Sequence, residues 1–247
     1  MLILALDTSS AAGSAAVVRD DRVLVERAGD GSRTHGERLP REVMAVLDAA
    51  HVDLREIDRF AVSIGPGSFT GLRVGIATIQ GLAFGQKKLV VPVSSFEVLV
   101  FPSTLHPPTS SPTSDLRPPT SSPTSVWIDA HRGEVFAALY GADGRALADP
   151  TSLKPDATLD AWSATLAPFD RIRFAGDGAD LYRDRIVARL GERAVIDASV
   201  PPLAGRIGLV AAASGSRAVL PHAVVPLYVR RPDAVLARER RDTAREP

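Results

Sequence analysis

Short apolar runs alternate with turn residues along this chain, in a rhythm that predicts strands and helices in turn. Leu2–Asp7 is an apolar run closed by an aspartate, which predicts a buried strand. Ser14–Arg19 alternates like a second strand, and residues 22–27 like a third across the Asp20-Asp21 turn. Residues 37–50 form an amphipathic helix, with Leu39, Val43, Val46, Leu47 and Ala50 on one face and Arg41, Glu42 and Asp48 away from it. A strand at 60–64, a helix at about 71–85 capped by Ser68 or Thr70, and a strand at 89–93 complete this half.

Residues 102–125 break the rhythm. The octapeptide PPTSSPTS occurs there twice, at 107–114 and 118–125. Such Pro/Ser/Thr sequence buries too little apolar surface to offset its ordering entropy, which predicts a flexible, partly polyproline insertion. Beyond it the first pattern returns: strands at 126–129, 134–140 and 146–148 (the last two across Asp143-Gly144), a helix at 159–166, a strand at 172–175 and a helix at 179–190. Each half thus reads β-β-β-α-β-α, and Asp7 and Asp129 end the first strand of each. The expected fold is α/β, two lobes with mixed sheets flanked by helices and a cleft between them. The expected boundaries are 1–101 for the first lobe, 102–125 for the insertion and 126–202 for the second lobe. An apolar helix at about 203–216 should pack back onto the first lobe, and a charged tail covers 230–247.

The run GPGSFTGLRVG at 65–75 puts glycines inside a helix, where each costs roughly 1 kcal/mol against alanine. Gly71, Gly75 and Thr78 share one side at i, i+4, i+7 spacing, a smooth stripe onto which the backbone of a second molecule would settle. Beside the 37–50 helix this stripe is expected to form a two-helix docking surface, so that filling Gly75 with leucine blocks assembly without unfolding the chain.

Composition narrows the function. The 247 residues are 45% apolar, with 29 Lys+Arg against 29 Asp+Glu, and this balance argues against a free-standing nucleic-acid binder. No cysteine means no disulfide and no thiolate zinc site, as suits a reducing cytoplasm. The start MLILALD has no basic region or cleavage signal and reads as a strand; no apolar stretch is long enough to span a membrane.

Two places can carry chemistry. Asp7-Thr8-Ser9, a carboxylate and hydroxyls at a strand-to-hairpin turn, suits a nucleotide's metal and phosphates, or else merely satisfies the turn backbone. Gly176-Asp177-Gly178-Ala179 allows close approach to a base or ribose, or is an ordinary turn into a helix. Opposite Asp7 the second lobe has Asp129-Ala130-His131-Arg132-Gly133-Glu134, bulky and charged where a phosphate loop would need glycines. Any nucleotide site at Asp7, Thr8, Ser9, Gly176 and Gly178 is therefore expected to be weak or vestigial for ATP or ADP, with no cofactor required. The five histidines are scattered without an i, i+4 pair, so no metal site is expected. Neither a Walker A loop nor a Gly-x-Ser-x-Gly elbow is present.

LALDTSS (4–10), THGERLP (34–40), GPGSFTGLRVG (65–75), PVSSFEVL (92–99), IDAHRGEVFAALY (128–140), FAGDGA (174–179) and PLYVRRP (226–232) resemble the bacterial TsaB (YeaZ) family, small members of the actin/Hsp70/sugar-kinase superfamily with ribonuclease H-like lobes. The resemblance implies a non-catalytic dimerisation subunit of the machinery that places threonylcarbamoyl on N6 of adenosine 37 in tRNAs reading codons that begin with A. It implies docking to a catalytic paralogue, TsaD, with a TsaE-like ATPase taking part, homodimerisation through the same helices, and contact with tRNA only through the complex. The docking surface then falls on His35, Leu39, Val43, Val46, Leu47, Gly71, Gly75, Thr78 and Leu82. A rival from another class is a nucleotide-dependent ATPase or kinase-like enzyme using Asp7, Thr8 and the 176–179 loop; a third, a metalloprotease, lacks a visible ligand set.

Overall fold

The computed structural model describes residues 1–100, 122–197 and 199–230. Most of the expected 102–125 insertion and nearly all of the charged tail lie outside the described residues. The first half builds β1 (Leu2–Asp7), β2 (Ser14–Arg19), β3 (Arg22–Ala28), α1 (His35–Ala50), β4 (Arg59–Gly65), α2 (Phe69–Gln86), β5 (Leu89–Ser94) and α3 (Ser95–Val100). The second builds β6 (Thr124–Asp129), β7 (Val135–Tyr140), β8 (Ala146–Leu153), α4 (Pro155–Ala161), α5 (Ser163–Leu166), β9 (Ile172–Ala175), α6 (Asp177–Leu181), α7 (Arg183–Leu190), β10 (Ala194–Ile196) and α8 (Ala204–Ala213).

The two sheets have the same topology. The first runs β3-β2-β1-β4-β5 and the second β8-β7-β6-β9-β10. In each, the first three strands are antiparallel neighbours and the last two run parallel to the first. Pairing in β1–β2 brings Asp7 opposite Ser14, and in β6–β7 it brings Asp129 opposite Val135, so both aspartates stand at the same end of equivalent strands.

Three apolar clusters stack through the molecule. On the outer face of the first sheet, Leu4, Leu6, Val17 and Phe60 pack against Leu39, Val43, Val46 and Leu47 of α1 and Ile76, Ile79 and Ala83 of α2. Between the sheets, Ile3, Ala5 and Val91 meet Val126 and Ile128 through Phe96 and Leu99 of α3 and Ile207 and Val210 of α8. On the far face, Trp127 and Phe174 meet the α4–α7 layer, including Trp162 and Ile186. The Ser14 hydroxyl accepts from the backbone N–H groups of Leu203 and Ala204 at 3.1 and 2.9 Å, which ties the start of α8 to the first sheet. Gly208 lets α8 sit close, since a Cβ there would lie 2.4 Å from Val18 Cγ2. α8 thus lies against β1 and β2 of the first sheet.

Several boundaries differ from expectation. Thr124 and Ser125, assigned to the insertion by their composition, are buried and pair in β6 with Tyr140 and Leu139. The helix expected at 159–166 is two short ones broken at buried Trp162, and that at 179–190 breaks at Tyr182. β10 was not anticipated: three residues at a sheet edge carry too little periodicity to register. Between β6 and β7, His131, Arg132 and Gly133 all take positive φ.

Candidate functional site

The turn after β1 and the entry to α2 are built against each other. Asp7 is 2% exposed and Thr8 0%; Asp7 Oδ1 accepts from the Ser9 N–H at 3.0 Å and the Ser9 hydroxyl at 2.7 Å. The Ser9 carbonyl accepts from the Ser68 N–H at 2.7 Å, and the Ser68 hydroxyl accepts from the Gly71 N–H at 3.2 Å, the cap that starts α2. A Cβ on Gly71 would come within 2.2 Å of the Thr8 carbonyl oxygen, and one on Gly75 within 2.0 Å of Thr8 Oγ1. Gly67 is equally constrained, since a Cβ there would lie 2.4 Å from the Ser9 carbonyl oxygen.

These distances correct the central expectation from the sequence. The close neighbour that Gly71 and Gly75 require is the chain's own Thr8, so their side of α2 is closed to any second molecule. Leucine at Gly75 would drive into Thr8 and disturb the fold itself. Leu39, Val43, Val46 and Leu47 are likewise core residues beneath α1, and cannot face a partner. Thr78, half-buried, donates its hydroxyl to the Val74 carbonyl at 2.8 Å, and Leu82 packs at the edge of the same core.

His35, also expected at the surface, is half-buried against the hairpin turn. Its Nδ1 lies 2.7 Å from Arg38 Nη2, and its Nε2 lies 3.0 Å from the Ser10 carbonyl. Because a guanidinium only donates, Nδ1 accepts and Nε2 carries the proton. Burial, then the Arg38 charge, holds the imidazole below its usual pKa. Arg38 is a buried clamp that grips Glu42 at 2.6 and 2.8 Å and the carbonyls of Ala11 and Ala12, fastening the turn to α1.

In the second lobe, Asp177 Oδ1 accepts from the N–H groups of Asp129 at 3.1 Å and Gly178 at 2.9 Å. Gly176 takes φ +105° and a Cβ there would meet the Trp127 carbonyl oxygen at 2.1 Å; one on Gly178 would meet Ile128 C at 2.9 Å. Both glycines thus serve the packing of α6 on β6. Burial pushes the carboxyls of Asp7 and Asp177 above the ordinary range, and Asp177 adds a smaller upward push on Asp7. Sequence reasoning placed Asp177 in the candidate 176–179 loop but took Gly176 and Gly178, not the carboxylate between them, as the loop's binding residues. Asp129 and Glu134, from the charged run opposite Asp7, have separate partners. Asp129 meets His131 at 3.1 Å and Glu134 meets Arg230 at 2.9 Å. Among the described residues no group of three or more potential metal-ligating side chains comes together.

The solvent side of the helix pair is a different surface from the expected one. α2 turns Arg73, Ala77, Gly81 and Phe84 outward, with Phe84 79% exposed, and α1 adds Pro40 and Met44, the latter 51% exposed. A Cβ on Gly81 or Gly85 would meet nothing within 4 Å among the described residues. Arg73 is the only charged residue in the eighteen of α2. At the head of this stripe its guanidinium lies 3.9 Å from the Phe69 ring centroid, and its Nε donates to the Tyr228 hydroxyl at 3.2 Å.

Two copies of one mixed sheet, joined through α3 and α8 and with an aspartate ending each first strand, make a fold of the actin/Hsp70/sugar-kinase type. Within that class the chain belongs to the TsaB/YeaZ family. The family model described as TsaD: tRNA N6-adenosine threonylcarbamoyltransferase matches residues 29–200. The TsaB protein of Bacillus subtilis is 26% identical over 239 residues, covering 95% of this chain and 96% of its own. TsaB of Haemophilus influenzae is 37% identical over 100 residues, so the chain spans 42% of that relative, and 40% of this chain is aligned. The solved structure of YeaZ from Pseudomonas aeruginosa superposes with a TM-score of 0.68 at 30% identity, over 92% of this chain and 99% of that one.

Proposed function

We propose that this chain is a non-catalytic dimerisation subunit in the biosynthesis of threonylcarbamoyladenosine in tRNA, docking a TsaD-like catalytic paralogue through the outer faces of α1 and α2. The outer stripe of α2 carries this reading. A solvated helix face is normally rich in charge, whereas this one has a single arginine, two open glycines and a bare phenylalanine. Each open glycine costs roughly 1 kcal/mol of helix stability with no packing inside the monomer to offset it. Close approach of a partner's backbone over Gly81, beside an aromatic anchor at Phe84, supplies the compensation. The TsaB relatives supply the pathway. In this reading a TsaE-like ATPase joins the complex, tRNA is met only through the assembly, the same face permits a homodimer, and the setting is the cytoplasm.

Purified chain titrated with the TsaD-type paralogue tests it. Phe84→Glu and Met44→Asp are expected to weaken the complex at least fiftyfold while leaving Tm unchanged; wild-type affinity in both would refute docking on this face. The rival, a nucleotide-dependent enzyme, draws support from the buried carboxylate and hydroxyls gathered at Asp7, Thr8 and Ser9. Calorimetry with Mg-ATP separates the two, since micromolar binding with turnover by the isolated chain would favour the rival.

A further inference from the structure

We infer that Arg73 is the charge-selecting anchor of the α1–α2 face and engages a carboxylate presented by the docked protein. The inference rests on the docking reading and adds to it the chemistry that the partner must bring. Arg38, Arg173, Arg217 and Arg230 each meet a carboxylate of this chain. Arg73 meets none among the described residues: its single hydrogen bond goes from Nε to the Tyr228 hydroxyl, leaving both Nη atoms without a hydrogen-bond partner there. The side chain is nonetheless held in place. Its guanidinium lies over the Phe69 ring, and that ring packs on Tyr228 with centroids 5.5 Å apart. Stacking and the Nε bond have already restricted the rotamers, so a bidentate partner would be met by a fork that loses little further entropy.

The position selects the occupant. Arg73 lies one helical turn from exposed Phe69 and continues through Ala77 and Gly81 to Phe84, so an anion bound there sits at the end of an apolar contact strip. Aromatic and arginine anchors beside a small-residue seam suit a protein helix. A lone arginine without basic neighbours on the helix suits a nucleic-acid backbone poorly, since binding there gains from several phosphate contacts at once. Tyr228 acts as a positioning residue, because it accepts from Nε and leaves the outer edge of the guanidinium open.

The test uses the full chain and the purified TsaD-type paralogue, with Kd measured against salt concentration and Tm as the folding control. Arg73→Ala should weaken binding at least tenfold and flatten the salt dependence. Arg73→Glu should weaken it at least a hundredfold, and Arg73→Lys should recover only part of the loss because the fork is gone. Tyr228→Phe should cost a few-fold and keep the salt slope. Wild-type affinity in Arg73→Ala and Arg73→Glu, with binding lost in Phe84→Glu, overturns the anchor and leaves the docking face standing. Wild-type affinity in all the variants removes the docking reading itself. Unchanged protein affinity with loss of tRNA from the assembled complex assigns the contact to RNA phosphate instead, and also overturns the inference.

Discussion

Thr8 shows how one side chain can dictate a glycine motif. Its Oγ1 is buried without a hydrogen-bond partner among the described residues and lies 2.0 Å from where a Cβ of residue 75 would be. Gly75→Ala is therefore expected to destabilise the fold by about 1–3 kcal/mol through overpacking. Thr8→Ala in the same chain should recover part of that, since the nearest remaining Thr8 atom, Cβ, lies 3.0 Å from the added carbon; a double-mutant cycle in urea measures the coupling. Asp7 makes a separate prediction. Its folded pKa is raised by burial, so between the unfolded and the folded pKa the native state holds a proton that the unfolded chain has released. Stability from this group is full below the unfolded carboxylate pKa and is lost as pH rises through the folded one. Asp7→Asn keeps an oxygen to accept from Ser9 and removes the charge. Its Tm should exceed that of the parent at pH 7, and the difference should vanish at low pH; an equal Tm at both would contradict the assignment. The glycine spacing at 71–75 correctly signals a close backbone neighbour, but spacing alone does not say whose. Helical periodicity places residues on a face, and only tertiary packing decides whether that face looks inward.

At the scale of elements, apolar patterning located most strands and helices, because a strand buried on both faces, such as β1, and a strongly one-sided helix, such as α1, announce themselves. It failed where packing overrides composition. Ser125 looks like linker yet is a fully buried strand residue paired with Leu139, and the short helices of the second lobe end at large side chains, Trp162 and Tyr182, that the core claims. The outer stripe of α2 was hidden for a related reason: four glycines in one helix look alike in sequence, while two of them face Thr8 and two face open space. Gly81→Ala should therefore raise the thermal stability of the isolated chain by about 1 kcal/mol, in contrast to Gly75→Ala. If alanine at both positions has the same sign of effect, the division of the helix into two functional sides is wrong.

Over the whole molecule, the repeated β-β-β-α-β-α order was legible from the paired aspartates and hairpin turns, and it led directly to the two-sheet architecture. The segment that follows α8 was not, since residues 221–230 have no periodicity and draw their structure from what they cross. Gln80 of α2 donates to the carbonyls of Pro221 and Val224, the Leu227 N–H donates to the Ile64 carbonyl at 2.7 Å, and Arg230 reaches Glu134 and the Ala130 carbonyl in the second lobe. Ending the chain at Leu220 is expected to cost about 3–5 kcal/mol, from those lost bonds and the uncovered Val224 pocket, read as a lower urea midpoint. Every group this stitching stretch binds precedes it in the chain, so these bonds become available only after all of their partners have been made.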